Sequence, residues 1–98
     1  MGILITAAST AKAHQLKNKL NAPNTVLGDF EDLPELLLKS KSIIKLANPN
    51  AENYIHLMLS LCLDNDIIGI YPLRELEFNK LQEAKQLFEE YGIELFKV

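Results

Sequence analysis

The residues best suited to chemistry fall at three junctions of the chain. Ala7-Ala8-Ser9-Thr10-Ala11-Lys12 follows an apolar run and opens a helical pattern. A turn of this kind leaves backbone N–H groups unpaired at the positive end of a helix dipole, which is the chemistry of an anion site. Ala8 stands where a ligand would approach the backbone, the Ser9 and Thr10 hydroxyls add donors, and Lys12 and His14 add charge. The alternative is that Ser9 or Thr10 only caps the helix. No G-x-G-x-x-G fingerprint is present, and Ala8 carries a Cβ where pyrophosphate favours glycine. The second junction, Gly28-Asp29, lies about 20 residues further on, where an acidic residue can hold a ribose hydroxyl or simply form a turn. The third is Pro72-Leu73-Arg74-Glu75-Leu76-Glu77. There Arg74 can reinforce a bound negative charge. The glutamates either serve acid–base chemistry or only favour a helix N-terminus.

Other chemistries find no support in the residues. His14 and His56 fall on different helical segments without a Cys/His/Asp cluster at ligand spacing, so no metal site is expected. His56 reads as a packed or rim histidine, and Cys62, in an apolar stretch, as an inert buried thiol. There is no triad, phosphate loop or nucleophile elbow, and no catalytic residue is assigned. A net charge of −3 offers no basic face for nucleic acid or an anionic membrane. No apolar run approaches the roughly 18 residues that cross a bilayer, and the start lacks the basic region of a signal peptide. A lone cysteine allows no internal disulfide and suits a reducing compartment, so a cytoplasmic protein is expected.

The elements that must position these junctions alternate strictly. Ile3-Leu4-Ile5-Thr6-Ala7 is apolar throughout, as a strand covered on both faces would be. Ala13, Leu16 and Leu20 then recur at helical spacing from Ser9 to about Asn21. After the turn residues Asn21-Ala22-Pro23-Asn24, a second strand runs from Thr25 to Asp29. Asp32-Leu33-Pro34-Glu35 has the capping-box arrangement and predicts a short helix to about Lys39. A third strand spans Ser42 to Ala47, and Asn48-Pro49-Asn50 opens a broadly apolar helix to about Asp64. Ile67 to Tyr71 is a fourth strand, ended by Pro72. A last helix runs from Glu75 to Tyr91, stopped by Gly92, and Ile93 to Val98 is a fifth strand. Such alternation predicts one α/β domain over residues 1–98. It is a three-layer α/β/α Rossmann-like sandwich with a five-stranded parallel sheet in the order 3-2-1-4-5. In that order the first turn, Asp29 and Arg74-Glu75 border one crevice, so a small anionic ligand is expected over Ala8, Ser9 and Thr10.

Several pieces, in order, resemble one family. They are Ile3-Leu4-Ile5-Thr6-Ala7-Ala8, the strand ending Gly28-Asp29, Pro49 with Tyr54, Ile67 to Phe78 through Pro72-Leu73-Arg74-Glu75, and Phe88-Glu89-Glu90-Tyr91-Gly92-Ile93. Together they resemble the N-terminal preATP-grasp domain of carbamoyl-phosphate-synthase-like ligases. The resemblance implies a domain that helps to shape the substrate site of an ATP-dependent ligase, with the loop at Arg74 and Glu75 lining it. It also implies that ATP and magnesium bind only to a following ATP-grasp domain, in cis or in trans, and that this chain holds no cofactor. Relatives often carry glycine and arginine in the first turn, where this chain has Thr6-Ala7-Ala8-Ser9-Thr10, and aspartate at the place of Glu75. A free-standing nucleotide- or anion-binding module, or a structural protein, stays open beside the ligase reading. A domain separated from its partner is also expected to self-associate as a dimer.

Overall fold

The computed structural model describes residues 2–8, 10–20, 24–30 and 43–97. Along these residues run β1 (Gly2–Ile5), α1 (Ala11–Leu20), β2 (Thr25–Asp29), β3 (Ile43–Lys45) and α2 (Tyr54–Asp64), then β4 (Ile67–Tyr71), α3 (Glu75–Glu83), α4 (Lys85–Glu90) and β5 (Glu94–Leu95). The strands form one parallel sheet in the order β3-β2-β1-β4-β5, as the alternation predicts. Leu4 lies opposite Val26 on one side and Ile70 on the other, which sets β1 at the centre.

The pleat sends alternate residues to opposite faces and so divides the core in two. Leu4, Ile67 and Ile70 pack with Tyr54, Met58, Leu59 and Cys62 of α2, Leu81 of α3 and Phe88 of α4. Ile5, Leu27 and Ile43 pack on the other face with Ala8 and Ala13, with Leu16 and Leu20 of α1 alongside. Helices therefore cover both faces, giving three layers. Met58 and Phe88 are fully buried, each a gain of about 1.5–3 kcal/mol by transfer from water.

Local chemistry moves several boundaries. The apolar helix opens at Tyr54 and not near Asn50, because the Asn48 side chain accepts the Asn50 N–H at 2.9 Å and holds the chain in turns. The last helix is two: the Ala84 N–H bonds Leu81 O at 3.0 Å, a tightened turn that parts α3 from α4. No glycine or proline marks that break. A register shift in the β1–β4 pairing leaves Ile68 outside the ladder and 43% exposed. β5 is shorter than Ile93 to Val98, and beyond it Phe96 stacks on Tyr71 with ring centroids 4.7 Å apart. Gly92 has φ +77°, the left-handed stop expected of it. His56 is exposed. Ser9, the Asn21-Ala22-Pro23 turn, the capping-box helix from Asp32 to Lys39, Ser42 and Val98 lie outside the described residues.

Candidate functional site

Strand order reverses at β1, so the carboxyl ends of β1 and β4 flank the crevice where such sheets bind ligands. The backbone closes that end tightly. The Thr6 N–H donates to Tyr71 O at 3.1 Å, and the Ala8 N–H donates to Gly28 O at 3.0 Å. The Thr6 hydroxyl, fully buried, accepts the Leu73 N–H at 2.8 Å and reaches Tyr71 O only at a long 3.5 Å. The turn leaving β1 is thus tied to β4 on one side and β2 on the other.

Ala7 sits in this turn at φ +56°, a left-handed conformation that costs a residue with a Cβ about 1 kcal/mol. Its carbonyl accepts both the N–H and the hydroxyl of Thr10, at 2.9 and 2.7 Å. The Thr10 hydroxyl in turn lies 3.4 Å from the Ala13 N–H, so Thr10 acts as the cap of α1. His14 folds back until its Nε2 is 3.0 Å from Ala8 O, and because a carbonyl only accepts, that nitrogen carries the proton.

The structure divides the residues expected at the crevice into two sets. Lys12 and Glu75 come together on the surface, where with Pro72, Leu73, Phe78 and Lys97 they line a notch of about 160 Å³. The Lys97 ammonium lies 6.0 Å above the Phe78 ring in the same place. Ala8 belongs to neither set, since its methyl group packs into the α1-side core. A depression of about 550 Å³ is lined by Ile68, Glu89, Gly92, Ile93 and Glu94, near the amino ends of β4 and β5. None of the residues expected to do chemistry lines it.

Asp29 and Arg74 meet beneath the surface. Arg74 Nη2 donates to both carboxylate oxygens of Asp29 at 3.0 Å. Asp29 is fully buried and Arg74 is 24% exposed, its guanidinium 5.0 Å from the Phe30 ring centre. Arg74 caps α3 with extended backbone, and Glu77 stands three residues on, where a side chain can turn back toward the helix start. Arg74 Nε and Glu77 Oε1 are 4.0 Å apart. Glu77 is also fully buried.

Glu77, weighed with Glu75 for acid–base chemistry at the third junction but not placed among the residues of the crevice, becomes a functional candidate in the structure. Burial pushes its carboxyl above the ordinary range and the Asp29 charge adds to this, while the Thr6 hydroxyl, the Arg74 charge and the Arg74 backbone N–H oppose it. Among the described residues neither oxygen of Glu77 accepts a hydrogen bond. The buried Tyr54 hydroxyl lacks one too, and its phenol is pushed up by burial and then by the Glu77 charge. With both carboxylates fully buried, neither meets a substrate in this arrangement. Among the described residues no three His, Cys, Asp or Glu side chains gather as a metal would need, and no helix is long and apolar enough to cross a membrane.

No curated protein matches the chain. A family model does, that of the PylC-like N-terminal domain, and it covers residues 3–96, from the first residue of the β1 core to the Phe96 ring over Tyr71. The parallel sheet, the order 3-2-1-4-5 and this match agree, and the chain belongs to the PylC-like N-terminal domain family, a preATP-grasp type of domain.

Proposed function

We propose that the chain is the non-catalytic N-terminal domain of an ATP-grasp ligase of the carbamoyl-phosphate-synthase-like kind, where it forms one wall of the substrate site. The observation that supports this most is the gathering of Thr6, Asp29, Arg74 and Glu77 at the switch point of a sheet whose chain matches an N-terminal domain family. Buried polar groups at that edge hold the connections in place, and the surface they support carries Lys12 and Glu75. In this reading ATP and magnesium belong to an ATP-grasp domain, in cis or in trans. A small anionic group of the substrate, such as a carboxylate, lies over Ala8, Ser9 and Thr10 and is steered by Lys12.

The test joins this chain to its ATP-grasp region and follows ADP release against carboxylate, amine and ATP. Thr10→Glu and Lys12→Ala are expected to raise the KM for the carboxylate by several fold and to leave the KM for ATP unchanged. The chain alone releases no ADP. Magnesium-dependent ADP release by the chain alone, or variants that act only on the KM for ATP, would overturn the proposal. A free-standing anion-binding module is the second reading, favoured by the start of α1 at the switch point. Phosphate or adenine nucleotides shifting the Ala8 and Thr10 amides of the chain alone would favour it.

A further inference from the structure

Three charged side chains stand in the closed crevice, and their charges do not cancel. Arg74 gives its Nη2 to both oxygens of Asp29 at 3.0 Å, which leaves Glu77 4.0 Å from the nearest nitrogen of the same guanidinium. Both carboxylates are fully buried, so water does not solvate a charge on Glu77 there. An ionised carboxylate held in such a place without a partner is far costlier than its neutral acid.

We infer that the crevice between β1 and β4 is closed by a proton: the closed arrangement holds one on Glu77, and opening of the Pro72–Arg74 connection releases it. The other groups facing Glu77 among the described residues leave it as the site of that proton. Asp29, from β2, is held by Arg74. Tyr54 and Cys62, from α2, stay protonated, the phenol pushed up by burial and the thiol to about 12 by burial. Thr6, from the turn leaving β1, carries no charge. Burial raises the Glu77 carboxyl and the Asp29 charge adds to it, against the Thr6 hydroxyl and the Arg74 charge and backbone N–H.

The closed state therefore binds one more proton than the open one, and rising pH favours opening. A one-proton linkage changes the opening constant by about tenfold per pH unit, from the ordinary glutamate pKa of about 4.3 up to the raised value of the closed state. The contacts that must break are named by the structure: Leu73 N–H to the Thr6 hydroxyl and Thr6 N–H to Tyr71 O. Beside them Ala7 is held at φ +56° and would relax on release. This inference rests on the charge arrangement alone and stands apart from the ligase reading.

Hydrogen exchange followed by NMR, corrected for the intrinsic pH dependence, tests it on the chain without ligand. The Leu73 and Thr6 amides are expected to exchange faster than amides in the middle of α2, with protection falling by about tenfold per pH unit. Glu77→Gln is nearly isosteric and removes the proton, so its protection at Leu73 is flat with pH. Asp29→Asn gives Arg74 to Glu77 and is flat as well. Glu83→Gln, an exposed change on the same helix, keeps the wild-type slope. In the wild type, the carboxyl carbon of Glu77 should stay in its protonated position above the ordinary glutamate pKa of about 4.3. Flat wild-type protection, an unchanged slope in Glu77→Gln, exchange at Leu73 no faster than in α2, or a Glu77 carboxyl titrating at the ordinary glutamate pKa of about 4.3 would each overturn the inference.

Discussion

Whether Arg74 serves the interior or a ligand is decided by its coupling to Asp29. Arg74→Met removes the guanidinium and leaves Asp29 fully buried beside Glu77 without the bidentate pair that Arg74 gives it. Breaking a buried pair by removing one partner costs about 3–5 kcal/mol, and the 24% exposure of Arg74 places this case near 3. Asp29→Asn keeps the volume and one acceptor, losing the charged character of two hydrogen bonds, a loss of about 1.5 kcal/mol. The double variant buries a neutral amide and no lone charge, so it should be no worse than Arg74→Met alone. The two single losses thus exceed the double loss by about 1.5 kcal/mol or more. A 98-residue domain holds roughly 5–15 kcal/mol, so all three variants remain folded. Urea unfolding followed by circular dichroism measures the cycle, provided the slopes agree among the four proteins. Losses that add within about 0.5 kcal/mol would refute the reasoning, and the Arg74 charge would then be available to a ligand.

The remaining expectations rest on other parts of the fold. Because the folded Glu77 carboxyl lies above its unfolded value, its contribution is complete below the usual carboxylate range and is lost as pH rises through the folded value. Glu77→Gln should therefore gain on the wild type as pH rises, and a stability difference constant with pH in urea melts would contradict this. Cys62 is fully buried with its thiol pushed up to about 12, so an aromatic disulfide reagent should label it only with denaturant present; rapid labelling of the native chain would be the contrary result. Gly69→Ala brings a Cβ to 2.5 Å from Phe96 Cε2 and 3.0 Å from Ile3 Cδ1, which lifts the Phe96 ring off Tyr71. We expect a loss of about 1–2 kcal/mol, recovered in part by adding Phe96→Leu, and no recovery in the double variant would exclude that ring as the cause.

What could be read ahead of the structure followed physical range. Apolar runs and helical stripes are local, and they were enough for the five strands and their order, because alternation with short connections leaves few topologies. Gly92 was legible for the same reason, since a left-handed stop has a residue preference. The break at Ala84 was not, because no residue type announces it. Asp29 and Arg74 were each placed at the crevice, yet 45 positions separate them and no periodicity reports their contact. Glu77 left a trace that could have been used. It stands four before Leu81, on the stripe that continues to the fully buried Phe88, so an acidic residue there is an acidic residue facing the core.

That placement separates two kinds of charge at the crevice. Lys12, Glu75 and Lys97 lie on or near the surface, where solvent and salt weaken what they do over about 8 Å. Asp29, Arg74 and Glu77 are in the interior, where an unmatched charge acts on the backbone that carries it. An anion drawn by Lys12 would meet first the amides at the start of α1 and not the guanidinium, which faces Asp29. To recruit Arg74 it would have to draw the guanidinium off the buried Asp29, and loss of that charge favours a proton on the carboxylate. Ligand binding that uses Arg74 would therefore take up protons, whereas binding confined to the surface notch would not. Proton uptake on binding would thus tell whether a ligand reaches the interior cluster or stays at the outer residues.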